Sequence, residues 1–209
     1  MSEIKNLSIE NFLNDLASKS ATPGGGSAAA IMGAQGAALI SMVCNLTIGK
    51  AKFADVEAEM QTLLQQAEEL RQQLTDFIQA DVDVFNRVMA AYGLPKDTDE
   101  DKTARSAAIQ TVLKEATVVP LDCAKACAKI ITLSQIAAEK GNPNVISDAG
   151  AATMAAYGGL KTAALNVYIN AGSLKDRTFA EHQLAELESM MQTAETQVTT
   201  LYSAIKDKL

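Results

Sequence analysis

The chain has no tryptophan, one histidine and an aromatic content of 4% in 209 residues. A core without large rings has to be filled by close approach of small residues, which favours helices over strands. Three cysteines, Cys44, Cys123 and Cys127, cannot form an even disulfide framework, and a reducing cytoplasm suits them. The lone His182 leaves no Ser-His-Asp or Cys-His arrangement to build, and Cys123 with Cys127 lacks the further ligands a metal needs. No metal site is therefore expected. Basic residues are also short: the net charge is −7, and the basic face of a nucleic-acid binder is missing. The N-terminus MSEIKNLSIENF has no basic start followed by an apolar run, so no signal peptide is read there.

What the chain has is alanine, glycine and helical periodicity. Thr22 to Lys50 reads TPGGGSAAAIMGAQGAALISMVCNLTIGK, with no charged residue before Lys50. Gly24, Gly25 and Gly26 give access to positive φ and to close approach, and Ser27 stands where a helix cap belongs. Stepping by four, Ala29, Gly33, Ala37, Ser41 and Asn45 form a row with little side-chain bulk, the mark of a central, closely packed helix. The stretch is long enough to span a membrane. It is built from Ala, Gly and Ser, and it contains Gln35 and Asn45, so a soluble core helix is expected instead.

Five more helices are predicted around it. Ser8 to Lys19 is short, with Ser8 as its cap. Ala54 to Tyr92 carries a heptad pattern through Val56, Met60, Leu63, Ala67, Leu70, Leu74, Phe77, Asp81, Val84 and Val88. After an acidic loop at Asp97 to Asp101, a helix from Lys102 to Lys140 meets Pro120, which should kink it. Helices from Asn144 to Ala171 and from Thr178 to Lys206 complete an elongated up-and-down bundle, all-α, whose shape invites pairing as a homodimer.

Asp81 is the most informative residue. A carboxylate on an apolar stripe is costly to bury unless partnered, and its perturbed titration would suit a general base. A structural carboxylate bonded to a helix end is the competing reading. Asp83 and Arg87, at i,i+4, read as a surface pair. In Gly141-Asn142-Pro143-Asn144-Val145-Ile146-Ser147-Asp148, helix capping by Ser147 or Asn144 accounts for most of the segment. Asn166 and Asn170 form a polar row with Thr162. Asp148 and Asn166 lie on one face about 27 Å apart, too far to meet at one reacting atom of the same helix.

Together these segments resemble the cyclodeaminase/cyclohydrolase family of folate enzymes. The resemblance rests on TPGGGS at Thr22–Ser27, MVCNLTIGK at Met42–Lys50 and ADVDVFNRVMAAYGLPK at Ala80–Lys96. It continues in VPLDCA at Val119–Ala124 and in GNPNVISDAGAA with ALNVYIN between Gly141 and Asn170. Essentially the whole chain is covered in order, as one helical domain over residues 1–209. One departure, Val82-Asp83-Val84 in place of something nearer Ala-Glu-Ala, leaves Asp81 and Phe85 where the pattern needs them.

The resemblance implies an all-helical homodimeric cytoplasmic enzyme that holds a tetrahydrofolate derivative near the subunit interface, with no metal or nucleotide cofactor. It implies hydrolysis of 5,10-methenyltetrahydrofolate, or cyclodeamination of 5-formiminotetrahydrofolate. These 209 residues carry no formiminotransferase domain, which leans the expectation to the former. Asp81, Lys50 and Asp148 are then the expected catalytic residues. Gly24, Gly25, Gly26, Ser27, Asn45, Asn142, Ser147 and Asn166 are expected to bind substrate, and Lys161, Lys175 or Arg177 to meet its anionic glutamate tail. The alternative outside this class is a non-catalytic helical scaffold.

Overall fold

The computed structural model describes residues 4–209. Six helices account for nearly all of it: α1 Ile9–Leu16, α2 Gly25–Asn45, α3 Glu57–Tyr92, α4 Asp99–Lys140, α5 Ile146–Gly172 and α6 Arg177–Lys206. No strand is present among the described residues. The fold is all-α, as expected.

The centre is α2, packed against α3, α4 and α5. Ala29, Gly33, Ala37 and Ser41 are buried, while Asn45 emerges at the exposed end. The missing side chains do the packing. A Cβ on Gly33 would lie 2.7 Å from Cys127 Sγ and 2.8 Å from Leu74 Cδ2. A Cβ on Gly159 would lie 2.9 Å from the Ala29 carbonyl oxygen. Backbone meets backbone here, and α5 runs antiparallel to α2, with Gly25 beside Asn166 and Gly36 beside Ala152. By length and composition α2 is apolar enough to cross a membrane, yet more than half of that window is buried inside the bundle.

Three expectations about local structure need correction. The glycine run adopts no positive φ: Gly24 is extended at φ −135°, and Gly49, beyond the other end of α2, is the glycine with a left-handed backbone at φ 76°. The helix starts at Gly25, so Ser27 lies inside its first turn and Gly24 occupies the cap. Asp99 to Asp101 belong to α4, because Thr98 and Asp101 close a capping box that satisfies its first N–H groups.

The α4 helix runs unbroken through Pro120. Proline has no N–H to give the carbonyl four residues back, Ala116, and Asn170 of α5 supplies the donor at 2.6 Å. Asn170 is thus accounted for by packing. The i,i+4 pair of Asp83 and Arg87 does not form: Asp83 accepts from Gln79, and Arg87 pairs with Glu115 of α4.

Candidate functional site

Asp81 reaches from α3 to the first turn of α2. Ser27 N–H donates to Asp81 Oδ2 at 2.9 Å, and Ser27 Oγ lies 3.0 Å from the same oxygen. The hydroxyl has the Ile78 carbonyl, at 3.2 Å, as its other acceptor. A carboxylate at a helix N-terminus meets N–H groups that have no partner within the helix, together with the positive end of the dipole. This seat exists because residue 26 is glycine: a Cβ there would fall 2.0 Å from Asp81 Oδ1.

The electrostatics are opposed. Burial pushes the Asp81 carboxyl above the ordinary carboxylate value, and the Ser27 hydroxyl and N–H pull it back. Oδ2 takes both Ser27 bonds, and Oδ1 has no hydrogen bond among the described residues, so it can accept a proton from a bound molecule. Asn166 closes the same end: its Nδ2 lies 3.7 Å from where a Gly25 Cβ would be, and it donates to the Thr162 carbonyl at 3.3 Å. Gly24, Gly25, Gly26, Ser27, Asp81 and Asn166 therefore form one cluster.

The remaining candidates form another, at the far end of α2. Asn142 N–H donates to Thr47 Oγ1 at 2.9 Å, its Nδ2 donates to the Leu46 carbonyl at 3.0 Å, and its Oδ1 accepts from Asn144 N–H at 3.1 Å. One Nδ2 hydrogen and one Oδ1 lone pair of Asn142 tie the α4–α5 turn to the end of α2, which leaves its second hydrogen and second lone pair for other partners. Ser147 and Asn144 do not cap α5, whose N-cap is Val145 without a side-chain bond. Ser147 instead lines a shallow groove with Tyr202 and Ile205. Lys50 is exposed and Asp148 half-buried, and neither side chain has a hydrogen bond or ion pair among the described residues. Asn45 opens onto a concavity of about 470 Å³ walled by Ser41, Met42, Leu46, Glu68 and Arg71.

The two clusters are a helix length apart. The 21 residues of α2 span about 30 Å, so Lys50, Asn45 and Asp148 do not approach Asp81 within one chain. The sequence reading that placed them at one centre is corrected to that extent. Sequence reasoning also missed Glu68, which accepts from Ser41 Oγ at 2.6 Å and pairs with Arg71. Cys123, weighed there only as a metal ligand, is a buried thiol pushed up first by its hydrogen bond with Cys127, then by burial, with a smaller contribution from the Asp81 charge. Of the cations considered for a glutamate tail, Arg177 spends its guanidinium on the Ala171 and Leu174 carbonyls, and Lys175 donates to Ser106. Lys161 stays exposed, its ammonium 5.7 Å from the Tyr157 ring. Among the described residues no three His, Cys, Asp or Glu side chains gather as metal ligands would.

Comparison with known proteins places this geometry. Residues 8–189 match the family model described as formiminotransferase-cyclodeaminase. The chain is 56% identical over 204 residues to a methenyltetrahydrofolate cyclohydrolase of Methylorubrum extorquens, covering 98% of each. It is 34% identical over 199 residues to the formimidoyltransferase-cyclodeaminase of Rattus norvegicus, of which it spans 37%. Its fold matches the crystal structure of a formiminotetrahydrofolate cyclodeaminase from Thermotoga maritima with a TM-score of 0.84 at 31% identity, covering 99% of this chain and 98% of that one.

Proposed function

The chain belongs to the formiminotransferase-cyclodeaminase family, and from that premise we propose that it hydrolyses 5,10-methenyltetrahydrofolate to 10-formyltetrahydrofolate. The observation that carries the reading is 56% identity along 98% of both chains to a protein named for that reaction. The other reading, conversion of 5-formiminotetrahydrofolate to the methenyl compound with loss of ammonia, draws on the more distant likeness to the Thermotoga and rat proteins.

The residues fit the chemistry as follows. Water adds to the methenyl carbon, forming a C–O bond while its proton passes to Asp81 Oδ1. The carbinolamine then loses its hydroxyl proton as the carbon–N5 bond breaks and N5 takes a proton. One proton is released overall. Asp81 acts as general base, held by Ser27 so that one oxygen is committed and the other aimed outward. The Gly24–Gly26 backbone and Asn166 would border the folate beside it; Lys50, Asn45, Ser147 and Asp148, a helix length away in the same chain, would reach it only from the partner of a homodimer. The reading takes water and the folate as its only reactants, with no resident metal or cofactor. It treats residues 1–209 as one functional domain of a cytoplasmic homodimer.

The test is the absorbance of 5,10-methenyltetrahydrofolate with and without protein, above its spontaneous hydrolysis. Loss of the chromophore should be accelerated, and Asp81→Asn should lower the rate about 10²–10⁴-fold. If Asp81→Asn stays within tenfold of wild type, Asp81 is not the base. Acceleration with 5-formiminotetrahydrofolate alone would replace the first reading by the second.

A further inference from the structure

The α3 helix outlasts the helix it packs against. Leu74 meets α2 at Gly33 and Asp81 meets it at Ser27, in the first turn of α2, yet α3 continues to Tyr92. At 3.6 residues per turn, Leu74, Ile78, Asp81, Phe85, Val88 and Tyr92 share one face of α3. Where α2 lies opposite, that face is buried at Leu74 and Ile78. Past the start of α2, Phe85 and Val88 are half-buried and Tyr92 is 44% exposed.

The α5 helix overruns α2 in the same direction. Its α2-facing side passes from Gly159, against Ala29, to Asn166, beside Gly25, and then to Asn170 one turn on. The α4 helix also continues, with Ile109 and Leu113 packed in a small core with Ala91, Ala171 and Leu174. Beyond Gly25 the bundle thus keeps α3, α4 and α5 but not α2, and a groove stands in line with the α2 axis. Its floor is the first turn of α2, where Gly25 is exposed and Asp81 Oδ1 is unbonded among the described residues. One wall is the apolar stripe of α3, and the other carries the amides of α5. At the far end the Arg105 guanidinium lies 5.6 Å from the centre of the Tyr92 ring. Its Nε and Nη2 donate to the Tyr92 carbonyl at 3.2 and 2.9 Å. Lys114 of the same helix is spent on Asp176, whereas Arg105 pairs with no carboxylate among the described residues.

We propose that this groove takes the aminobenzoyl-glutamate arm of the folate, with its ring against Phe85 and Val88 and its γ-carboxylate on Arg105. The inference rests on the folate reading above and gives the substrate a direction within that site. The lengths agree. Tyr92 lies eleven residues beyond Asp81 on α3, about 16 Å along the axis. From the methenyl carbon through N10, the ring and the amide, roughly eleven bonds lead to the γ-carboxylate, about 13 Å at about 1.2 Å each. A hydrogen bond of about 3 Å to the guanidinium completes the span. The charges agree as well: in a chain of net charge −7, a guanidinium without a carboxylate suits a carboxylate ligand. The flat ring of the arm leaves water against an aromatic and a β-branched side chain.

Substrate and protein are altered together to test it. Wild type should have a KM for 5,10-methenyltetrahydrofolate about tenfold below that for its γ-carboxamide analogue, with kcat little changed, as loss of a charge-assisted hydrogen bond requires. Arg105→Met should raise KM for the first substrate to that of the second. A structural role for Arg105 would raise both and preserve their ratio, which would overturn the assignment, as would a wild type that does not discriminate. Val88→Phe fills the groove while leaving Arg105 and Asp81 in place. With helical circular dichroism retained, it should raise KM for both substrates at least tenfold; an unchanged KM would also overturn the inference.

The fragment p-aminobenzoyl-glutamate has no pteridine and cannot react, so it separates the groove from the reaction. Its aromatic protons should receive saturation transfer from wild type, and the signal should be lost with Val88→Phe. Wild type inert on both folates, yet binding this fragment, would sink the folate reading and leave the groove standing. An active enzyme indifferent to Arg105→Met and Val88→Phe would do the reverse.

Discussion

Asp81 is held between two effects of opposite sign, and its behaviour follows from which one is altered. Burial favours the neutral acid, and the Ser27 hydroxyl and N–H favour the carboxylate. A general base must be ionised, so activity rises with pH through its titration and then levels off. The acid limb of the kcat/KM profile should therefore have its midpoint above the ordinary value of 3.8. Ser27→Ala deletes a contribution that lowers the pKa and should move that midpoint further up, which a profile of both proteins would reveal. An acid limb unmoved by Ser27→Ala would detach it from Asp81. Gly26→Ala attacks the same contact by displacement: a Cβ 2.0 Å from Oδ1 forces the carboxylate aside. Since a shift of about 1 Å can cost roughly 10²-fold, activity should drop by about that factor while circular dichroism stays helical.

At the scale of the element, α4 shows how a helix survives a buried proline. Every buried side-chain N or O atom among the described residues has a hydrogen-bond partner, and Asn170 extends such satisfaction to the Ala116 carbonyl. Asn170→Ala should leave that carbonyl unpaired in the interior and destabilise the fold by about 1–3 kcal/mol in urea denaturation. Pro120→Ala restores an N–H four residues on, so the same Asn170→Ala change should cost less in that background; equal costs would refute the compensation. The elements were largely legible from periodicity. Their details failed where a pattern was extrapolated. On α3 the buried stripe follows the heptad through Met60, Leu63, Ala67, Leu70 and Leu74, then passes to Ile78 and Val82, with Val84 of the expected heptad also buried. A straight helix drifts about 20° per heptad from a 3.5-residue repeat, so Phe77 and Asp81 end at the edge of the core. That edge suits a carboxylate that must be held and still be reached.

At the scale of the whole molecule, the all-helical bundle and both site segments could be read from the chain, but their placement could not. TPGGGS opens α2 by its own position in the chain, yet nothing in GNPNVISD says which end of α2 it adjoins. The 30 Å between them comes from the antiparallel α2–α5 pair, and that pair is set by glycine-to-backbone contacts that leave no polar signal in the sequence. If the bundle works only as a homodimer joined across the uncharged face of α2, a charge at the middle of that face should abolish function without touching either cluster. Gln35 is exposed and lies ten residues from each end of α2, about 15 Å from both clusters. Gln35→Arg would put a charge on that face, while Gln35→Ala keeps it neutral. Sedimentation equilibrium should find Gln35→Arg monomeric and Gln35→Ala paired. Turnover by the arginine variant should fall at least tenfold at low protein concentration and climb as concentration drives association. A monomeric Gln35→Arg protein with wild-type turnover would mean that one chain holds a complete site.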